Sequence, residues 1–315
     1  MIKFTSIPQF RNVIKQVQLN HDYQGNVDGE PVYKHIAPYP TLNFKGTVKL
    51  HGTNAAVVKY KDRTEYQSRE RVLTLTSDNA QFMLLMSGKN LDFMFDMEFE
   101  ESIAVFGEWC GQTIQKGVAI SQLPKMFVIF AVQVDGEWVD HFIQDPDQNI
   151  YHIESFPTFW IDIDFNAPEM AQNKLIEMTL AVEAECPVGK HFGAIGVGEG
   201  IVFTTGARDY IFKSKGEKHS VSNVKTLASV DVELIESWKE FVDYAVTENR
   251  LKQGIEYLIT EGLEVSQKST GDFLRWVVND IVKEESDVIV KNGLDLKKLN
   301  PLISKKARNW FFSNY

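Results

Sequence analysis

At 315 residues the chain is long enough for one large domain or two smaller ones with a real hydrophobic core. Its composition, 43% hydrophobic and 24% charged, is that of an ordinary globular protein, and no apolar run nears the roughly 20 residues a membrane helix needs. Two cysteines, Cys110 and Cys186, are too few for a disulfide scaffold or a zinc cluster, and a net charge of -10 disfavours nucleic acid unless positive charge is gathered locally.

It is gathered in two places. Lys45, Lys49, Lys59, Lys61, Arg63, Arg69 and Arg71 stand against only Asp62, Glu65 and Glu70. Near the C-terminus, Lys291, Lys297, Lys298, Lys305, Lys306 and Arg308 stand against Asp295 alone. The start, Met1 to Pro8, lacks the apolar core of a signal peptide, so a cytoplasmic protein with two reduced thiols is expected.

In chain order, β-rich runs predict strands over residues 55–60, 103–108, 127–132, 200–204 and 210–215. Residues 78–86 predict a helix capped at Ser77/Asp78, and residues 168–185, rich in Met, Leu, Glu and Ala, predict another. Beyond about Ser222 the period changes. Leu234, Ile235, Trp238, Phe241, Val242, Ala245 and Val246 form one helical stripe, and Phe273, Leu274, Val277, Val278, Ile281 and Val282 form a second. Asn300-Pro301 predicts the start of a last helix, with Asn as cap and Pro at the first helical position.

The chemistry is suggested by Lys49-Leu50-His51-Gly52, a Lys-x-x-Gly element between two β-rich runs. An amine beside a glycine can approach a phosphate closely, because the glycine leaves room for backbone. Alone, the element is weak. Other positions strengthen it: Glu108 follows a β run, Phe127 opens one, Glu199 precedes one, and Lys213 and Lys215 alternate on one face of a strand. Two carboxylates, an aromatic and three lysines on strands suit nucleotidyl transfer, in which an amine attacks a phosphate, cations offset the developing charge and a carboxylate holds a divalent metal. Lys45 lacks a glycine three residues on. The glycine-rich run from Gly193 to Gly200 misses the phosphate-loop and dinucleotide patterns and reads as a turn entering the Glu199 strand. Asp162 and Asp164 read as a solvated pair.

As a set, Lys49-Leu50-His51-Gly52-Thr53-Asn54, Glu108, the Phe127 strand, Glu199-Gly200 and Lys213-x-Lys215 resemble the phage-type RNA ligase 2 family, which includes the trypanosome RNA-editing ligases. The resemblance covers about residues 40 to 220. It implies an ATP-dependent RNA ligase that joins 3′-hydroxyl and 5′-phosphate RNA ends through lysyl-AMP and RNA-adenylate, in RNA repair and as a monomer. Lys49 would carry AMP. Val48, Leu50 and Asn54 would contact the nucleotide, and His51 would act in later steps. Arg69 would touch the nucleotide or the RNA end, Glu108 the ribose, and Phe127 would stack on adenine. Glu199 would hold Mg²⁺ (or Mn²⁺), and Lys213 and Lys215 would grip the α-phosphate.

Two departures from the family pattern are Trp109-Cys110 after Glu108, which are bulky, and Ala131-Val132, where an acidic residue is common. The fold implied is α+β: a nucleotidyltransferase domain of antiparallel sheets with flanking helices over residues 1–225, then a helical RNA-end-binding domain over 226–315. A DNA ligase or capping-type nucleotidyltransferase is the alternative within the superfamily, and a non-catalytic RNA-binding relative is the alternative outside catalysis.

Overall fold

The computed structural model of the chain describes residues 1–220, 228–229, 235 and 237–315. The expected domain boundary at 225/226 and Leu234 of the first helical stripe lie outside these residues. In chain order the elements begin with α1 (Phe10–Asp22), β1 (Tyr23–Val27), β2 (Glu30–Tyr33), β3 (Thr41–Lys49), β4 (Thr53–Tyr60), β5 (Thr64–Ser68) and α2 (Phe82–Met86). There follow β6 (Ser102–Cys110), β7 (Met126–Val134), β8 (Glu137–Val139), β9 (Ile150–His152), β10 (Thr158–Asp164), α3 (Glu169–Ala184) and α4 (Pro187–His191). The chain continues through β11 (Gly200–Thr204), β12 (Ile211–Lys215), α5 (Trp238–Ala245), α6 (Glu248–Thr260), α7 (Thr270–Glu284), α8 (Ser286–Lys291) and α9 (Leu296–Asn314). The fold is α+β, with antiparallel sheets, flanking helices and a helical C-terminal region.

All five expected strands form, as β4, β6, β7, β11 and β12. Two helix starts need correction. The helix expected from Asp78 begins only at Phe82, because Ala80 and Gln81 take left-handed φ angles of 48° and 64°. Asp78 still caps it, accepting from the N–H groups of Met83 and Leu84 at 2.9 Å each. The last helix does not start at Asn300-Pro301. It starts at Leu296, with the Asp295 carboxylate accepting from Lys297 N, and Pro301 lies inside it.

The chain divides into two compact units. The first comprises Met1–Ile7, Asn43–Ile161 and Met178–Lys213, and the second comprises Pro8–Leu42, Asp162–Glu177 and Ser214–Tyr315. One sheet has the order β10-β3-β11-β12. A larger one has the order β5-β4-β6-β7-β8, with β9 added to β7 in parallel. The larger sheet is covered on both faces, so its inner strands read as unbroken apolar runs. Along β4, Ala55 and Val57 join Phe82, Trp109 and Phe127, while Ala56 and Val58 join Ala104, Phe106 and Ala131. The pairing of β6 with β7 slips at Phe106/Gly107, where Phe106 faces Ala131 and Gly107 faces Ile129. That bulge re-aims the side chains beyond it.

In the second unit, the expected stripes of α5 and α7 bury Phe241, Ala245, Phe273, Val277 and Ile281 with Ile303 and Phe311 of α9. Helix α1 belongs to this unit through a buried ion network. Arg11 donates to Asp287 at 2.6 and 3.1 Å and to Glu285 at 3.3 Å. Arg250 donates to the other oxygen of Glu285 at 3.1 Å, and the Tyr244 hydroxyl donates to Glu285 at 2.9 Å. Glu285 is thus the shared anion of two buried guanidinium groups. Glu285→Ala is expected to lower the unfolding free energy by about 3–5 kcal/mol, because it strands buried charge. Urea denaturation checks this, and a loss below about 1 kcal/mol would show that the network relaxes without its anion.

Candidate active site

Lys49 is the last residue of β3, flanked by Val48 and Leu50, whose side chains are buried and hold the strand end in place. β3 pairs with β11 in a register that sets Val48 opposite Ile201 and Lys49 opposite Gly200. Glu199, one residue before β11, is therefore diagonal to the lysine. Lys49 Nζ donates to Glu199 Oε2 at 2.7 Å, and His51 Nδ1 lies 3.5 Å from the same oxygen. Glu199 is 2% exposed, whereas Lys49 keeps 21% of its side chain open. A buried carboxylate thus faces a reachable amine. The glycine-rich run before Glu199 opens on a turn at residues 192–193 and is otherwise irregular as it leads into β11. Gly198 lets it pass close to α3, since a Cβ there would sit 2.6 Å from the Val182 carbonyl oxygen.

Gly52 closes the turn that follows. Its N–H donates to Glu108 Oε1 at 3.0 Å, and a Cβ at this position would lie 2.4 Å from the Trp109 carbonyl oxygen. Only glycine allows that approach. Asn54 stands directly opposite Glu108 in the β4–β6 register, so the two share one face. Sequence reasoning missed Gln115, whose amide points at the Gly52 carbonyl oxygen from 3.5 Å. It sits in the irregular segment after β6 and carries no local pattern by which it could have been found.

Glu108 as a residue is only partly buried, but desolvation of its carboxyl is the main cause that pushes its pKa from the ordinary 4.5 up to about 7. Lys49 pulls it down, Glu199 adds to the rise, and the Gly52 N–H and His51 oppose it. The folded state therefore binds this proton more tightly than the unfolded chain. The associated stability is full below pH ~4.5 and is lost as pH rises through ~7, by about 3 kcal/mol in all. Glu108→Gln keeps the acceptor for Gly52 but cannot ionise. It is expected to raise the unfolding free energy at pH 8 by up to about 3 kcal/mol and to change it little at pH 4.5. Equal effects at the two pH values, measured by chemical denaturation, would count against this assignment.

The other expected site residues fall into two groups. Lys213 and Lys215 lie on one face of β12, next to β11, alternating with buried Phe212 and Ser214. Phe127 lies on β7 and Arg69 directly follows β5, both strands of the larger sheet. Phe127 pairs with Trp109 and Glu108 with Val128, so the Phe127 ring and the Glu108 carboxyl leave the sheet on opposite faces. Phe127 is fully buried, 5.2 Å from the ring of Phe82. Its placement is that of a core residue, and no face of the ring is open for the expected stacking. Arg69 is exposed beside Glu70, 3.9 Å away. Lys45 sits four residues from Lys49 along β3, roughly 13 Å away, and is paired with Glu154 at 2.5 Å. Asp162 and Asp164 are both exposed, and no group of three or more His, Cys, Asp or Glu side chains is placed to hold a metal among the described residues. Cys110 and Cys186 are buried free thiols.

Residues 43–215 match the family model described as RNA ligase. No curated protein matches the chain. Among solved structures, it is similar to RNA ligase of Naegleria gruberi. A lysine-to-methionine variant of that enzyme with AMP and manganese is 18% identical, with a TM-score of 0.46. An arginine-to-alanine variant with ATP and manganese is 18% identical with a TM-score of 0.44, and the enzyme with pyrophosphate is 19% identical with a TM-score of 0.44. Each match covers 69% of this chain and 56% of the other, so the chain spans little more than half of those ligases.

Proposed function

Because this chain belongs to the RNA ligase family, we propose that it is an ATP-dependent RNA ligase whose nucleophile is Lys49. The observation that carries the reading is the amine of Lys49 held 2.7 Å from buried Glu199, beside the Gly52–Glu108 hydrogen bond. In the first step Lys49 Nζ loses a proton and attacks the α-phosphorus of ATP, forming a P–N bond while pyrophosphate leaves. An oxygen of an RNA 5′-phosphate then attacks that phosphorus and releases the lysine amine. Finally an RNA 3′-hydroxyl attacks the 5′-phosphorus, and AMP departs.

Within this scheme Glu108 is read as the acceptor of the ribose hydroxyls, with Asn54 opposite it in the β4–β6 register. Lys213 and Lys215 are read as the α-phosphate contacts, and His51 as a residue of the later steps. Glu199 suits a divalent cation of the Mg²⁺ or Mn²⁺ type, which favours phosphate oxygens and one or two carboxylates over an all-protein cage. Such an ion supplies charge neutralisation at the phosphate oxygens.

The motif set resembles that of the phage-type RNA ligase 2 branch, which supports reading the chain as a cytoplasmic monomer that acts in RNA repair. A DNA ligase or capping enzyme of this superfamily is expected to carry a β-barrel after the last lysine motif, whereas the described residues after 237 form helices α5 to α9. The test is incubation with α-labelled ATP and Mg²⁺ or Mn²⁺, followed by sealing of nicked RNA duplex, nicked DNA duplex and single-stranded RNA with 5′-phosphates. Label stable to denaturation, little label from GTP and sealing of RNA support the reading. Label without RNA sealing, or with preferred sealing of DNA, overturns it.

A further inference from the structure

The start of β4 is held from both faces of the larger sheet. Thr53 stands directly opposite Trp109 and Asn54 opposite Glu108, so Thr53 and Trp109 share one face while Asn54 and Glu108 share the other. On the Thr53 face, Asn79 is 1% exposed, and its Nδ2 donates to Thr53 Oγ1 at 3.1 Å. Asn79 Oδ1 is buried too, without a hydrogen-bond partner among the described residues. Burying an acceptor unpaired costs stability, so local packing alone does not account for an amide at this position.

The backbone that delivers Asn79 is held against its own preference. Ala80 and Gln81 follow it with φ angles of 48° and 64°, left-handed values that residues with a Cβ disfavour. Side-chain donors fix the segment there. Trp109 Nε1 donates to Ala80 O at 3.1 Å, and Lys125 Nζ donates to the same oxygen at 3.0 Å and to Gln81 Oε1 at 2.8 Å. Arg71 donates to the carbonyl oxygens of Ser77 and Asp78, each at 3.3 Å. The bulk of Trp109 after Glu108 thus has a physical use, since its indole reaches from β6 to the strained segment.

We propose that Asn79 is a positioning residue for the step in which Lys49 Nζ bonds to the α-phosphorus of ATP and pyrophosphate leaves, an inference that rests on the ligase reading above. Glu108 accepts from the Gly52 N–H at 3.0 Å on one face, and Asn79 donates to the Thr53 hydroxyl on the other. Two consecutive residues after the Lys49 strand end are therefore fixed from opposite sides. Asn79 acts through Thr53 and not on the reacting atoms.

The test follows lysyl-AMP formation by the full chain with α-labelled ATP and Mg²⁺ in single turnovers, recording rate, ATP dependence and labelled fraction. Asn79→Ala is expected to lower the rate at saturating ATP by about 10- to 100-fold, the loss that a misplacement of roughly 1 Å produces. The ATP concentration giving half the maximal rate should move by less than about threefold, because the loss falls on the transition state. Thr53→Val, which exchanges the hydroxyl for a methyl, should show the same split, and the double variant should be no slower than either single one. Thr53→Ser, which keeps the hydroxyl, should react at the parental rate. A residue that only supports folding would instead lower the melting temperature and the labelled fraction, while the molecules that label do so at the parental rate, and that result overturns the proposal. Parental rates for both Asn79→Ala and Thr53→Val overturn it as well and leave the ligase reading standing. Should Asn79→Ala not fold, the rates of Thr53→Val and Thr53→Ser decide by the same criteria. A parent chain that takes no label from ATP fails the ligase reading, and the proposal falls with it.

Discussion

Lys49→Ala is expected to abolish transfer of label from α-labelled ATP to the protein, because the proposed P–N bond forms on Lys49 Nζ. The geometry adds a complication. Glu199 is 2% exposed and accepts from Lys49 at 2.7 Å, so alanine removes a largely buried ion pair as well as the proposed nucleophile. Lys49→Arg separates the two effects. Arginine keeps a cation beside Glu199 but stays protonated, and so non-nucleophilic, at any working pH. The expected pattern is a lowered melting temperature and no label for alanine, and a near-normal melting temperature and no label for arginine. Labelling by the arginine variant at the parental rate would place the nucleophile elsewhere. Lys45 would then be the next lysine to test, although its ion pair with Glu154 holds it away from this group.

Glu199→Gln is expected to slow lysyl-AMP formation by at least ~100-fold, or about 2.7 kcal/mol of barrier. Glutamine keeps the size of the side chain and an oxygen that can accept from Lys49, so the strand end should keep its shape. What is lost is the negative charge that pairs with the amine and would attract a divalent cation. The rate should be measured across a titration of Mg²⁺ and Mn²⁺. A defect that persists at all metal concentrations fits loss of the carboxylate. Parental rates throughout the titration would remove Glu199 from any metal role.

Much of this was readable in the sequence because it is local. Val57-Val58 and Phe127-Val128-Ile129 announce covered strands, since strands buried on both faces need unbroken apolar runs. The stripes of α5 and α7 announce helices, since 3.6 residues per turn returns Phe273, Val277 and Ile281 to one side. The order of Lys49, Glu108, Glu199 and Lys213-x-Lys215 along the chain was sufficient to suggest the chemistry.

Only the tertiary structure could decide which of these groups meet. Lys49 reaches Glu199, 150 residues away, through one register of β3 on β11, and a slip of one residue would turn every side chain to the other face. The same rule governs Phe127. The bulge at Phe106/Gly107 sets the register that sends its ring into the core instead of beside Glu108. The union of α1 with the C-terminal helices depends on Arg11 finding Glu285 and Asp287. Sequence periodicity fixes the face a side chain takes within its own element, but pairings between distant elements arise only when packing selects one register among several.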